Sequence, residues 1–320
     1  MNSKENHAAL GRLALRETGS VAGPALGTTD ATDREAAIRR IIADLSAPIL
    51  SAKYVLARLT KHLQDSDLTI NFIAYKFFNS APKGVGYVSQ FAGGNKWGDG
   101  SYITMRDEAE EAMFDYSGAK PKPSSVPKQV LDRIKQFGKL SEPTFEPSMR
   151  PKYAALNYAR LDYGSAGQWG ESHMVLKEHV KHIATYVHTD SFDEAGNAGQ
   201  RAALPGKVAN YINMDRLIAN MPLNMLKALD GASNGKRLGN VKQVPGLGGT
   251  SYIEAHVHGE IRFDRDIAKI VLSNNEIAQA QAKTLTLKQQ NKPFKVRTAQ
   301  ELEKIFTKFA QMHGIAIVRV

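Results

Sequence analysis

The sequence contains no cysteine, which excludes disulfide bridges, thiolate metal sites and cysteine nucleophiles together. It has no apolar run near the ~18–20 residues needed to span a bilayer. Its basic residues form no dense tract, so a dedicated nucleic-acid arm is not indicated. The glycine-rich run Pro245-Gly-Leu-Gly-Gly249 has no strand before it and no helix after it in Rossmann order, and no Walker lysine follows. No serine stands in a nucleophile-elbow context.

What is present is an ordinary globular composition. Hydrophobic residues make up 42% of 320 positions, enough for a real core, and charged residues 23%. The formal net charge of +10 fits a solvated basic face, or attraction to an anion such as a dinucleotide, a nucleic acid or an acidic protein. Residues 1–32 are rich in Ala, Gly, Ser and Thr, with no apolar block like a secretory signal. They read as a disordered leader, of a kind that fits a polar, non-cleaved type III-like export signal.

Periodicity then predicts a helical section from Asp33, with Ile38, Ile41, Ile42, Leu45, Ile49 and Leu50 at helical spacing and a break at Pro48. Leu68–Phe72 reads as a short strand. Gly84 to Gly100 is glycine-rich with interspersed aromatics, Asp107 to Tyr116 reads as a helix, 118–128 as an exposed linker and Val130 to Phe137 as a short helix. Stronger strand signals follow at Tyr153–Tyr158, Ser172–Leu176, Ile183–His188, Ser251–His258, Ile267–Leu272 and Ile315–Val320. Met214 to Leu229 reads as helical, and a helix over Ala299–His313 should stop at Gly314. Strands separated by irregular loops and a few helices indicate an α+β fold with a helical layer in front.

Three segments carry chemistry. In Tyr252-Ile-Glu-Ala-His-Val-His258, alternation puts Tyr252, Glu254, His256 and His258 on one strand face and Ile253, Ala255 and Val257 on the other. Such a row is either the solvated face of an edge strand, a functional face, or part of a histidine metal site that would need a further ligand from elsewhere. Pro151 holds Arg150 extended, and an arginine at a strand mouth can grip a diphosphate with two parallel hydrogen bonds. In the third segment, Gly170 removes side-chain bulk where a flat ring could lie; Ser172, Met174 and Leu176 share one face, and Glu171, His173 and Val175 the other.

Together, Arg150, Ser172 and Glu254, in that order on separate strands, resemble the Arg–Ser–Glu arrangement of mono-ADP-ribosyltransferases. A wider pattern resembles a bacterial family with an ADP-ribosyltransferase-like core. It runs through Leu68–Phe72, Tyr87-Val-Ser-Gln-Phe-Ala-Gly93, Arg106 with Glu110 and Phe114, Arg150–Asn157, Gly170–Lys177, Asp190-Ser191 and Glu254–Gly259. Within that group the chain is most similar to CteC-type secreted effectors, threonine ADP-ribosyltransferases that modify host ubiquitin. His256 stands where the family usually has glutamine, and Gly170-Glu171-Ser172 replaces its Gly-Ser start. Tyr252 occupies the position where arginine-modifying members carry Glu or Gln, which argues against arginine as acceptor and is compatible with a hydroxyl acceptor.

The resemblance implies a split β-sheet ADP-ribosyltransferase core at 146–320, behind a helical and Gly-rich N-terminal region at 33–145. It implies NAD as substrate, no metal, Glu254 as the catalytic residue, and Arg150, Tyr153, Asn157, Gly170, Ser172 and Tyr252 around NAD. Gln90, Phe91, Arg106, Asp190 and Glu260 would shape the pocket or acceptor site. The expected partner is a host protein, as ubiquitin is for the CteC-type effectors, reached by secretion and without a membrane segment. Three rival readings remain at this level: a non-enzymatic secreted adaptor for an acidic host protein, a nucleic-acid-binding protein, and a metal hydrolase built on His256 and His258.

Overall fold

Pro48 lacks the N–H that a helix interior needs, and the chain breaks there: α1 (Asp30–Asp44) ends before it and α2 (Ile49–Asp65) begins just after it. The computed structural model describes residues 30–77, 86–87, 109–110, 112–114, 150–191, 203–204, 206–236, 252–289 and 298–320. Of the leader expected over 1–32, residues 30–32 are described and are the helical start of α1; the rest of it, most of the glycine-rich stretch, the 118–128 linker and the 130–137 helix lie outside the described residues. Of the helix expected over 107–116, residues 109–110 and 112–114 are described and helical.

Helix α2 buries Ala52, Leu56, Leu59 and Leu63, whose spacing of three and four puts them on one stripe. The buried Lys181 ammonium closes the C-terminal end of α2 by donating to Gln64 O at 2.5 Å and Ser66 O at 3.2 Å. The chain continues through β1 (Leu68–Phe72), α3 (Ala74–Phe77), β2 (Gly86–Tyr87), β3 (Lys152–Leu156), β4 (Ser172–Leu176), α4 (Glu178–Lys181), β5 (Ala184–Val187) and β6 (Ala209–Asn210). After α5 (Met214–Asn220) and α6 (Leu223–Ser233) come β7 (Ile253–Val257), β8 (Ile261–Arg262), α7 (Phe263–Asp266), β9 (Ile267–Leu272), α8 (Asn274–Gln289), α9 (Ala299–His313) and β10 (Ala316–Arg319).

The architecture is mixed α and β. Eight strands form one sheet in the order β10-β9-β4-β1-β3-β7-β5-β6, and β2 pairs with β8 separately. All neighbours in the large sheet are antiparallel except β9 and β10. The boundary expected near 145 does not divide the sheet. Strand β1, from the supposed N-terminal layer, lies between β3 and β4 near its centre, so the helical layer and the strands share one core.

One face of the sheet is apolar. Leu68, Ile70 and Phe72 of β1, Ala154 and Leu156 of β3, Met174 and Leu176 of β4, and Ile253, Ala255 and Val257 of β7 join the helices in a single hydrophobic cluster. Helix α9 adds Leu302, Phe306 and Phe309, with the Phe72 and Phe306 rings 5.9 Å apart. It begins with a Thr298–Glu301 capping box and ends at Gly314 in the left-handed conformation, as its sequence predicts. The region expected as one helix from Met214 is two, because Pro222 separates α5 from α6.

The opposite face is also covered, but it is polar. Registers place Thr69 and Asn71 of β1, Tyr153 and Ala155 of β3, His173 and Val175 of β4, Thr185 of β5, and Glu254 and His256 of β7 there. Asn71 binds the loop between β3 and β4 to this face, donating to Tyr163 O at 2.6 Å and Gly170 O at 2.9 Å and accepting from Ala166 N at 3.2 Å. Gly170 has φ +139, and a Cβ built on it would lie 2.1 Å from Phe72 O. Gly170→Ala must therefore move backbone against backbone. We expect a loss of about 2 kcal/mol or more, measurable by urea denaturation.

Candidate active site on the polar face

Alternation along β7 sends Glu254 away from the hydrophobic cluster and into the polar layer, where it is 1% exposed. A carboxylate cannot be buried cheaply without donors, and the described residues bring four to this one. Ser191 donates to Oε1 from its backbone N–H at 3.2 Å and from its hydroxyl; His256 Nε2 lies 2.8 Å from the same oxygen. The Tyr252 hydroxyl is 3.2 Å from Oε2 and 3.0 Å from Asp190 Oδ2. The other ring nitrogen of His256, Nδ1, is buried without a hydrogen-bond partner.

Further contacts link this centre to the start of β3. His256 packs edge-on against Tyr153, centroids 5.3 Å apart, and against Phe114 at 5.1 Å. The Tyr153 hydroxyl donates to Glu110 Oε1 at 2.5 Å. Glu110 Oε2 accepts from Arg150 Nε at 2.6 Å, in an ion pair with both side chains almost wholly buried. Arg150 and Glu254 thus belong to one continuous network, Arg150–Glu110–Tyr153–His256–Glu254, on the same side of the sheet.

Burial alters the ionisable groups at the rim. Lys152 is pushed down to about 8 by burial, against the opposing pull of Glu260 and Glu110, and its ammonium donates to Gly259 O at 2.7 Å. His258 is pushed down to about 3 by burial, with His256 and Lys152 adding to the effect. His173 and His188 are each lowered to about 4, chiefly by burial. All three histidines have folded values below the ordinary 6.5, so the unfolded chain takes up protons first as pH falls. Their contribution to stability is complete above about pH 6.5 and is lost as pH falls to about 3–4, each tenfold difference in proton affinity counting for about 1.4 kcal/mol. The urea midpoint should fall steeply between about pH 6.5 and 4, and His258→Asn should flatten that slope.

Several expected site residues lie elsewhere. Ser172 faces the apolar side, where its hydroxyl donates to Glu276 at 2.7 Å and accepts from Ser273 N at 3.0 Å. Glu276, in the first turn of α8, also accepts from the backbone of Ala74 at 2.8 Å and Glu171 at 2.7 Å. Ser172 is therefore a structural clasp between β4 and α8, separated from Glu254 by the sheet. Gly170 makes no room for a ring, because the Phe72 backbone fills the space its missing side chain leaves. The Asn157 amide closes its own turn, with both side-chain atoms bonded to the Leu161 backbone at 2.9 Å. Glu260 is 59% exposed beyond the far end of β7, opposite Arg265 at 3.7 Å. Gln90, Phe91 and Arg106 lie outside the described residues.

Tyr252, Asp190 and Glu254 are joined by direct hydrogen bonds and Tyr153 touches His256, whereas Arg150 lies beyond the other end of β7 and connects to this centre through Glu110 and Tyr153. Sequence reasoning did not foresee that Ser191 would clasp Glu254, nor that Glu110 would balance Arg150. The available signals were the adjacency of Ser191 to Asp190 and the i,i+4 pair Glu110 and Phe114 on one helix face. His256 and His258 share a strand face yet point their Nε2 atoms at different partners, Glu254 and Thr185. Among the described residues no group of three or more metal-ligating side chains is assembled, and no helix is long and apolar enough to cross a membrane.

No curated protein matches the chain. A family model does match, over residues 86–297, and every member of the Arg150–Glu254 network falls within that span while α1, α2, β1, α9 and β10 fall outside it. With roughly two thirds of its length matched, the chain belongs to the family described as "Protein of unknown function (DUF3626)".

Proposed function

We propose that the protein is an NAD-dependent mono-ADP-ribosyltransferase in which Glu254 is the catalytic carboxylate, and that its sheet is a variant of the ADP-ribosyltransferase core. The observation that carries this reading is the buried Glu254, held by Ser191, Tyr252 and His256 in one network with Arg150. Buried, mutually hydrogen-bonded ionisable groups gathered on one sheet face, while the other face is a hydrophobic core, are a pattern that functional sites favour.

The chemistry that suits such a carboxylate is stabilisation of positive charge. Cleavage of the nicotinamide–ribose bond creates an oxocarbenium-like centre, as in glycoside cleavage. Glu254, already desolvated and fixed by its donors, would meet that charge without reorganising. The guanidinium of Arg150, oriented by Glu110 through Nε, would serve the NAD diphosphate. Tyr153 and Tyr252 would flank the sugar and the base. Tyr252, in place of an acidic or amide residue two positions before Glu254, favours a serine or threonine hydroxyl as acceptor.

A transferase of this type is safest in a cell that lacks its target, so we place its action in a host cell after secretion, on a host protein for which ubiquitin is the first candidate. The test is incubation of the full chain with labelled NAD and eukaryotic cell lysate. Nicotinamide release with a covalently labelled protein band is the expected result; no NAD turnover under any acceptor condition would refute the reading.

A further inference from the structure

Transfer to a hydroxyl needs more than a carboxylate that stabilises the sugar cation. The attacking O–H must lose its proton, and an alcohol is a weak nucleophile while it keeps it. Resting on the ADP-ribosyl transfer reading, we propose that Asp190 is the general base for the attacking hydroxyl and that Tyr252 is the positioning residue that holds it beside Glu254.

The placement of Asp190 follows from the course of the chain. After β5 the backbone passes over the start of β7, where Ser191 binds Glu254 Oε1 through both its N–H and its hydroxyl. That two-point clasp fixes the preceding residue too. Asp190 is 4% exposed, with Oδ2 3.0 Å from the Tyr252 hydroxyl, which is itself 3.2 Å from Glu254 Oε2. One phenol thus bridges two carboxylates. It carries a single hydrogen and donates to one of them at a time. When it turns to Glu254, Asp190 loses a stabilising donor and becomes the better proton acceptor.

Three other carboxylates among the described residues have different duties. Glu110 is taken up by Arg150 and Tyr153, Glu276 lies on the apolar side with Ser172, and Glu260 is out in solvent past the opposite end of β7. Atoms and charge balance in the transfer step. The C1′–N bond of NAD breaks and its electron pair leaves with nicotinamide. The acceptor oxygen bonds to C1′, and the acceptor proton passes to the Asp190 carboxylate.

Azide separates this role from a structural one, because azide attacks carbon with no proton to remove. With NAD and lysate, Asp190→Ala should release nicotinamide and label protein ~100-fold or more slowly than wild type. Adding sodium azide in place of lysate should restore nicotinamide release at least about tenfold, with ADP-ribosyl azide as product, while Glu254→Gln should show no such rescue. Asp190→Asn, which keeps an oxygen for the Tyr252 hydroxyl, should behave the same way and covers the case in which the alanine variant fails to fold. Wild-type rates in the asparagine variant, or losses in both variants that azide does not relieve, would overturn the assignment. A wild-type chain that releases no nicotinamide would instead sink the parent reading, and this inference with it.

Discussion

Glu254→Gln is expected to keep the fold and lose activity by at least ~10²–10³-fold, the scale seen when a preorganised electrostatic group is removed from a transition state. The substitution is a clean probe because the hydrogen bonds to Ser191, His256 and Tyr252 survive it. The amide oxygen can remain at the Oε1 position, accepting from the Ser191 N–H, the Ser191 hydroxyl and His256 Nε2. The amide nitrogen then faces the Tyr252 oxygen, whose own hydrogen turns to Asp190. Only the charge is missing. Thermal melting within a few degrees of wild type, NAD affinity within a few-fold and a collapsed rate of nicotinamide release would together identify Glu254 as acting on the transition state. Full turnover would assign the chemistry to another residue. Glu254→Ala is a worse probe, because it strands the Ser191 and His256 donors in a buried layer and confounds stability with rate.

The contrast between Glu254 and Ser172 shows what a sequence can carry. Alternation over Tyr252–His258 separates the polar face from Ile253, Ala255 and Val257, and the structure has that division. The same alternation puts Ser172 with Met174 and Leu176, two residues of the hydrophobic cluster. Periodicity thus already placed Ser172 on the core side; the motif order pulled it the other way. Elements with strong local signals, such as β1, β4, β9 and α9, have the limits their patterns predict, because alternation or capping acts over a few residues. Helix α8 was missed since its sequence, NNEIAQAQAKTLTLKQ, has few apolar residues at helical spacing. The position of β1 in the middle of the sheet, and the pairings Glu110–Arg150 and Ser191–Glu254, join residues 40 or more apart. No local pattern encodes such contacts, and a polar residue gives no apolar periodicity to follow.

Arg150→Met should destabilise the protein by about 3–5 kcal/mol, before any question of ligand arises, because it breaks a buried ion pair by removing one partner. Loss of NAD binding in that single variant would therefore say little about contact with NAD. The double variant Arg150→Met/Glu110→Gln resolves it. With both charges gone, the layer keeps its volume, the glutamine can still accept from the Tyr153 hydroxyl, and most of the lost stability should return. Denaturant midpoints of the two single variants and the double variant give the coupling between the groups. NAD binding to the double variant, set against that of the Glu110→Gln single variant, then reads Arg150. Stability restored with NAD affinity still reduced ~100-fold or more is the outcome a guanidinium–diphosphate contact requires, since a charge-assisted hydrogen bond contributes about 1.5–3 kcal/mol and a bidentate one more. Stability and affinity recovering together would make Arg150 a support for Glu110 and Tyr153, and the diphosphate would need a different cation.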